Sequence, residues 1–165
     1  MSEQENSGPT MAAPEHAWLQ NLVGEWTTET EFDHGGDAPR GKGREIFTML
    51  GDLWALGDGE ITFPDGNSMI TRMGVGYDVS DKQYKAFWIA NVSSHLWQYD
   101  CELSEDGKIL TMNCEGPDIM GDAPSAFYRD IIQLVDENHR THTSTGQDKD
   151  GNWVTYMVNY YTRVS

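Results

Sequence analysis

The feature that most constrains this chain is its punctuation. From Glu25 onward, short runs of alternating apolar and polar residues are broken by turn pairs. These are Gly51-Asp52, Asp65-Gly66, Ser80-Asp81, Ser93-Ser94, Asp106-Gly107, Glu137-Asn138 and Asp150-Gly151. Asp-Gly between alternating runs is the strongest short hairpin signal, because a tight hairpin needs residues that accept positive φ. Counting the runs gives about ten strands joined mostly by tight turns. That predicts an all-β fold, a single up-and-down antiparallel β-barrel. With 165 residues the chain has room for one such domain and too little for two.

One convincing helix precedes the strands, over residues 14–24. Pro14 suits its first turn and Glu15 its positive N-terminal end, while Trp18, Leu19, Leu22 and Val23 form one apolar stripe that Gly24 can end. Residues 1 to about 13 are small and polar and read as a flexible tail, which leaves 14–165 as the barrel domain. The longest interruptions of the strand pattern fall at 116–124 and 34–41.

Composition removes several classes of function. Lys and Arg total 11 against 27 Asp and Glu, a formal net charge of -16. Such a surface repels nucleic acid and anionic membrane leaflets, so neither is an expected partner. No apolar run approaches the roughly 20 residues of a spanning helix, and no secretory signal is visible at the start. Two cysteines do not make a disulfide framework. A cytoplasmic location follows as the expectation.

Turn length decides which side chains face inward. Two-residue turns at the pairs above set Leu103 opposite Leu110, Cys101 opposite Met112, Trp88 opposite Tyr99, Tyr77 opposite Tyr84 and Met73 opposite Trp88. Continued backwards, they set Trp54 opposite Tyr77 and Met49 opposite Trp54. The resulting inward surface holds Phe47, Met49, Trp54, Leu56, Met73, Tyr77, Trp88, Trp97, Tyr99, Cys101, Met112 and Cys114. A three-residue turn would flip every strand beyond it. The same pairing sets Glu45 opposite Asp58, two inward carboxylates expected at an open rim in water. Residues 125–163 alternate poorly. Arg129, His142 and Tyr161 share the interior with Tyr156 and Tyr160 excluded, or the reverse.

Catalytic and metal signatures are sparse. There is no Gly-x-Ser-x-Gly, phosphate loop or dinucleotide fingerprint. The odd spacing of His139 and His142 sends them to opposite faces of a strand, so no metal ligand set is expected. Cys101 and Cys114 read as buried free thiols, since diagonal neighbours about 7–8 Å apart are too distant for a disulfide.

The opening segment His16-Ala17-Trp18-Leu19-Gln20-Asn21-Leu22-Val23-Gly24-Glu25-Trp26 resembles that of a bacterial family of unknown function, the 1579 family. Matches follow in order at Gly43-Arg44-Glu45, Gly74-Val75-Gly76-Tyr77-Asp78, Trp88-Ile89, Leu96-Trp97, Asp106-Gly107-Lys108, Tyr128-Arg129-Asp130 and Tyr161-Thr162-Arg163. The resemblance implies a lipocalin-like, calycin fold. In that fold Gly24-Glu25-Trp26 opens the barrel and Arg163 packs on Trp26 as a structural contact. It implies an interior small-molecule site by analogy of fold, with Arg129 among the residues that orient a ligand. Arg44 and Glu115 are implied too, but the turns send them outward. Nitrobindin-like barrels hold haem through a late-strand histidine, a position His142 occupies; an ordinary core histidine is the preferred reading, and no cofactor is assigned.

The expected ligand site is therefore an aromatic, Met-rich interior. It comprises Trp54, Met73, Tyr77, Trp88, Trp97, Tyr99 and Met112, with Arg129 and His142, and suits an apolar or aromatic small molecule. Two alternatives stand beside it. One is an enzyme that uses an inward carboxylate, Glu45 or Asp58, on an enclosed substrate. The other is a homodimeric interaction module with a filled barrel, associating through outward Ile46, Ile70, Phe87, Ile89 and Leu96.

Overall fold

The computed structural model describes residues 8–32, 38–119, 121 and 123–165. Residues 1–7 of the expected tail and much of the 34–41 interruption lie outside the described residues. A 3-10 helix over Pro14–Asn21 leads into ten strands. These are β1 (Gly24–Phe32), β2 (Gly41–Leu50), β3 (Trp54–Thr62), β4 (Ser68–Asp78), β5 (Gln83–Ala90), β6 (Ser93–Leu103), β7 (Ile109–Gly116), β8 (Ala126–Asp136), β9 (His139–Gln147) and β10 (Trp153–Arg163). Each strand pairs antiparallel with the next, and β1 pairs with β10 from Trp26 opposite Arg163 to Phe32 opposite Met157. The sheet closes into the up-and-down barrel that the turn spacing predicts, and closure leaves no sheet edge unpaired.

The helix plugs one end. Trp18, Leu19 and Leu22 enter the core alongside Phe47, Ala55, Val75, Leu110, Met112 and Ile132. Two polar contacts fasten it: the Trp18 indole N–H donates to the Gly107 carbonyl at 2.7 Å, and the Tyr84 hydroxyl donates to the Glu15 carbonyl at 2.7 Å. Each gives a buried polar group a partner, so the apolar seal carries little desolvation cost. Gly24 begins β1 at φ 133°, and a Cβ there would lie 2.4 Å from the Arg163 guanidinium, so this position admits only glycine. The Arg163 guanidinium stands 4.1 Å from the Trp26 ring centroid and donates to the carbonyls of Asn21, Val23 and Glu137. The arginine–tryptophan pair closes this end in the way the family resemblance implies.

Register corrects one strand of the expected interior. The connection between β2 and β3 holds three residues, so Leu50 pairs with Trp54 and Met49 with Ala55. Trp54 therefore faces out and covers Gly76, where a Cβ would meet its ring at 2.6 Å. Leu56 and Asp58 face out with it, while Ala55, Gly57, Gly59 and Ile61 face in. The connection from β3 to β4 holds five residues, so the parity flips back and Met73, Val75 and Tyr77 face inward as expected. Between β5 and β6, Trp88 pairs with Trp97 rather than Tyr99. That shift is two residues, so the facing survives.

The expected Glu45–Asp58 pair does not form. Asp58 is exposed and meets Arg72 at 2.8 Å on the outer face. Glu45 is 6% exposed, far from a watery rim, and accepts from buried Arg140 at 2.9 Å.

Candidate functional site

The half of the barrel away from the helix is not filled. It encloses a cavity of about 270 Å³. Its mouth is apolar and aromatic, with Phe32, Met69, Trp88, Trp97, Tyr128, Tyr156 and Met157 on the wall. Bare backbone opposite makes room for the largest rings. Trp97 lies across Gly116, where a Cβ would come within 2.4 Å of it, and Tyr156 lies across Gly146 at 2.1 Å. Trp97 meets Tyr128 edge to face at 5.0 Å, an arrangement that the aromatic quadrupole favours. The Tyr128 hydroxyl donates to the Pro117 carbonyl and accepts from the Ile119 N–H. It thereby ties the described part of the 116–124 connection to the mouth.

At the barrel's waist the wall turns polar: Thr28, Glu45, Thr71, Asp130, His142, Ser144 and Asn159. Asp130 Oδ2 collects donors from His142 Nε2 at 2.9 Å, Ser144 Oγ at 3.3 Å and the Tyr99 hydroxyl at 3.5 Å. A carboxylate only accepts, so the His142 proton in this contact sits on Nε2. Asp130 Oδ1 and His142 Nδ1 have no hydrogen-bond partner among the described residues. The Thr28 hydroxyl is buried without a partner among the described residues. Burial and the Asp130 charge push the Tyr99 hydroxyl far above its ordinary pKa, so it stays a neutral donor. Burial, with Asp130 nearby, pushes the Cys114 thiol up to about 12.

Beneath the waist lies Arg140, 2% exposed. Its guanidinium is 3.7 Å from the Tyr161 ring centroid and 4.7 Å from that of Trp26, and it binds Glu45. Its Nε has no hydrogen-bond partner among the described residues. Burial and the Glu45 charge raise the Tyr161 pKa, against the opposing pull of Arg140.

Of the expected site residues, Met73, Trp88, Trp97, Tyr99 and His142 lie on the cavity wall. Four do not. Trp54 faces out for the reason of turn length. Tyr77 and Met112 face in but belong to the closed half, where Tyr77 packs against His16 and Tyr84. Arg129 faces out, donating to Asn113 at 3.0 Å and stacking over Trp153 at 4.3 Å. In the ambiguous C-terminal third, His142 and Tyr161 line the cavity, and Tyr160 faces out. The bulge between Thr155 and Met157 sends both Tyr156 and Met157 to the wall, so neither simple alternation applies. Asp130, Ser144 and Asn159 escaped the sequence reading, although Tyr128-Arg129-Asp130 was in view as a matching segment.

A haem-ligating histidine offers its Nε2 to iron. Here Nε2 is held by Asp130, so His142 does not fit that role. Among the described residues no three His, Cys, Asp or Glu side chains cluster as a metal site, and both cysteines are free thiols. No helix among the described residues is long and apolar enough to cross a membrane.

Fold and site together define a closed ten-stranded antiparallel barrel with one end plugged and a cavity open at the other. The chain belongs to the family described as "Protein of unknown function (DUF1579)", whose model matches residues 11–163. No curated protein matches it. Among solved structures it is similar to the S-type phycobiliprotein lyase CPES from Guillardia theta. The identity is 11%, 92% of this chain and 93% of that chain are covered, and the TM-score is 0.57. It is also similar to a redesigned beta barrel, mFAP0, bound to DFHBI, with 14% identity, coverage of 87% and 100%, and a TM-score of 0.48. At such identities the likeness to the lyase is one of fold.

Proposed function

We propose that this protein binds a small molecule with an apolar or aromatic body in the barrel cavity, its polar end toward the waist. The observation that carries the reading is the division of the interior. One half is packed shut, and the other keeps an aromatic cavity whose inner end presents unpartnered polar atoms. A small number of placed polar groups in an otherwise apolar pocket is what orients a ligand. Trp88, half-buried on the wall, is the natural reporter.

The first test is native mass spectrometry of freshly purified protein, followed by titration with apolar and aromatic small molecules. Excess mass, or saturable binding that Trp88→Ala weakens by about tenfold (close to 1.4 kcal/mol), is the expected result. Equally poor binding of every compound by wild type and Trp88→Ala overturns the reading.

A second reading rests on the outer face. Ile70, Ile89 and Leu96 are 43%, 39% and 48% exposed on three neighbouring strands. An apolar patch there suits a homodimer. Sedimentation at micromolar concentration decides it, and a monomer removes it.

A further inference from the structure

We infer that the cavity selects ligands by the charge of their polar end, taking an ammonium or other N–H donor on an aromatic or apolar body and rejecting the matching carboxylate. This rests on the cavity being a ligand site, and adds what that site recognises.

Three carboxylates line the cavity: Glu45 and Asp130 on the inner wall, and Glu60, exposed, at the rim. The buried cation nearest them, Arg140, is not on the wall; its guanidinium is spent on Glu45 and stacked under Tyr161 and Trp26. Arg44 reaches the rim of the cavity, but its side chain is 60% exposed and turned to Glu25 on the outer face. His142 is the other titratable base, and its Nε2 already serves Asp130. The lining carboxylates thus outnumber the cations turned toward the cavity. Among the described residues no lysine or arginine is left to meet an anion there.

The hydrogen-bond inventory points the same way. All three protein donors at Asp130 converge on Oδ2. Oδ1 has no partner among the described residues, and it belongs to a side chain only 13% exposed. Oδ1 is accessible from the cavity, and a ligand that displaces water from it must supply a donor or leave a charged acceptor unmet. An ammonium supplies three donors and a charge. The rings of Trp88, Trp97 and Tyr128 around the mouth attract a cation through their faces. A carboxylate would meet Asp130 and Glu45 across a low-dielectric gap with no proton to share. The net charge of -16 repels the same anion during approach.

The test compares 2-phenylethylamine, 2-phenylethanol and phenylacetate, three molecules with one ring and one chain length, by calorimetric titration of the full protein at neutral pH. The amine is expected to bind about tenfold more tightly than the alcohol, and the carboxylate more weakly than either. Asp130→Asn is expected to bring the amine to within about threefold of the alcohol, both measured on the variant. Ser144→Ala keeps the carboxylate and is expected to keep the preference. The wild-type comparison stands even if Asp130→Asn does not fold. Phenylacetate binding as tightly as the amine overturns this inference alone. Failure of all three to bind removes the cavity reading, and this inference with it.

Discussion

Toward the helix, Leu19, Leu22, Phe47, Ala55, Val75, Leu110, Met112 and Ile132 are each at most 1% exposed. Toward the other end, Trp88, Tyr156 and Met157 stay half-buried around open space. The same ten strands and the same alternation run through both halves, so alternation alone does not decide whether a barrel is filled. The helix decides it at one end, bringing Trp18, Leu19 and Leu22 as extra side chains from outside the sheet. At the other end rings lean over bare glycine backbone on neighbouring strands, as Trp97 does over Gly116, and the centre stays empty.

The boundary between the halves is the Arg140–Glu45 pair, and its loss should be the largest effect. Removing one partner of a buried ion pair leaves the other charged and unsolvated, at a cost of about 3–5 kcal/mol. Arg140→Ala is expected to destabilise the protein by that amount in urea unfolding. The double variant Arg140→Met with Glu45→Gln should recover most of it, because no buried charge remains. A single variant as stable as wild type would mean that water reaches Glu45 and that the halves are not separated.

Next come truncations that set one half against the other. Leu22→Ala opens a cavity in the packed half and should cost about 2–5 kcal/mol. Met157→Ala, on a wall that already borders open space, should cost less than about 1.5 kcal/mol and act on ligand binding instead. Equal costs would mean that the second half is as closely packed as the first.

How the sequence announced this division differs from region to region. The barrel and the N-terminal helix are legible because each rests on a local signal, turn residues and an apolar stripe, while the Trp26–Arg163 contact comes only with the family resemblance. Strand β3 was misread because facing depends on loop parity, and two loops of odd length enclose it. The facing is inferred backwards from Asp106-Gly107, so Met73 and Trp88 are placed before either loop is crossed, Trp54 falls between the two errors, and they cancel again at Phe47 on β2. The polar waist was hidden for another reason. Asp130, Ser144 and Asn159 sit on strands whose alternation is broken by polar inward residues, so hydrophobic pattern loses its meaning where the site is. The bulge at Tyr156 then defeats any fixed period.

The two cysteines give the finest probe, since Cys114 stands nearer the cavity than Cys101 does. Cys101 is 2% exposed between Tyr84 and Met112 in the packed half. Cys114 is half-buried, paired with Tyr128 of the cavity wall and packed behind it. Burial raises both thiols, so both stay protonated in the folded chain at pH 8, where only the thiolate reacts. Alkylation of native protein should be slow at both, with Cys114 modified before Cys101 as the cavity half opens locally. In urea both should react fast. Between the ordinary thiol value of about 8.5 and about 12, where Cys114 ionises in the fold, the unfolded chain binds fewer protons than the folded one, so stability falls as pH rises through that interval. Below it both states hold the proton and the thiols add no pH dependence. Cys114→Ala should flatten part of the alkaline decline. If Cys101 is labelled first, the helix-plugged half is the one that opens, and the comparison between the halves is reversed.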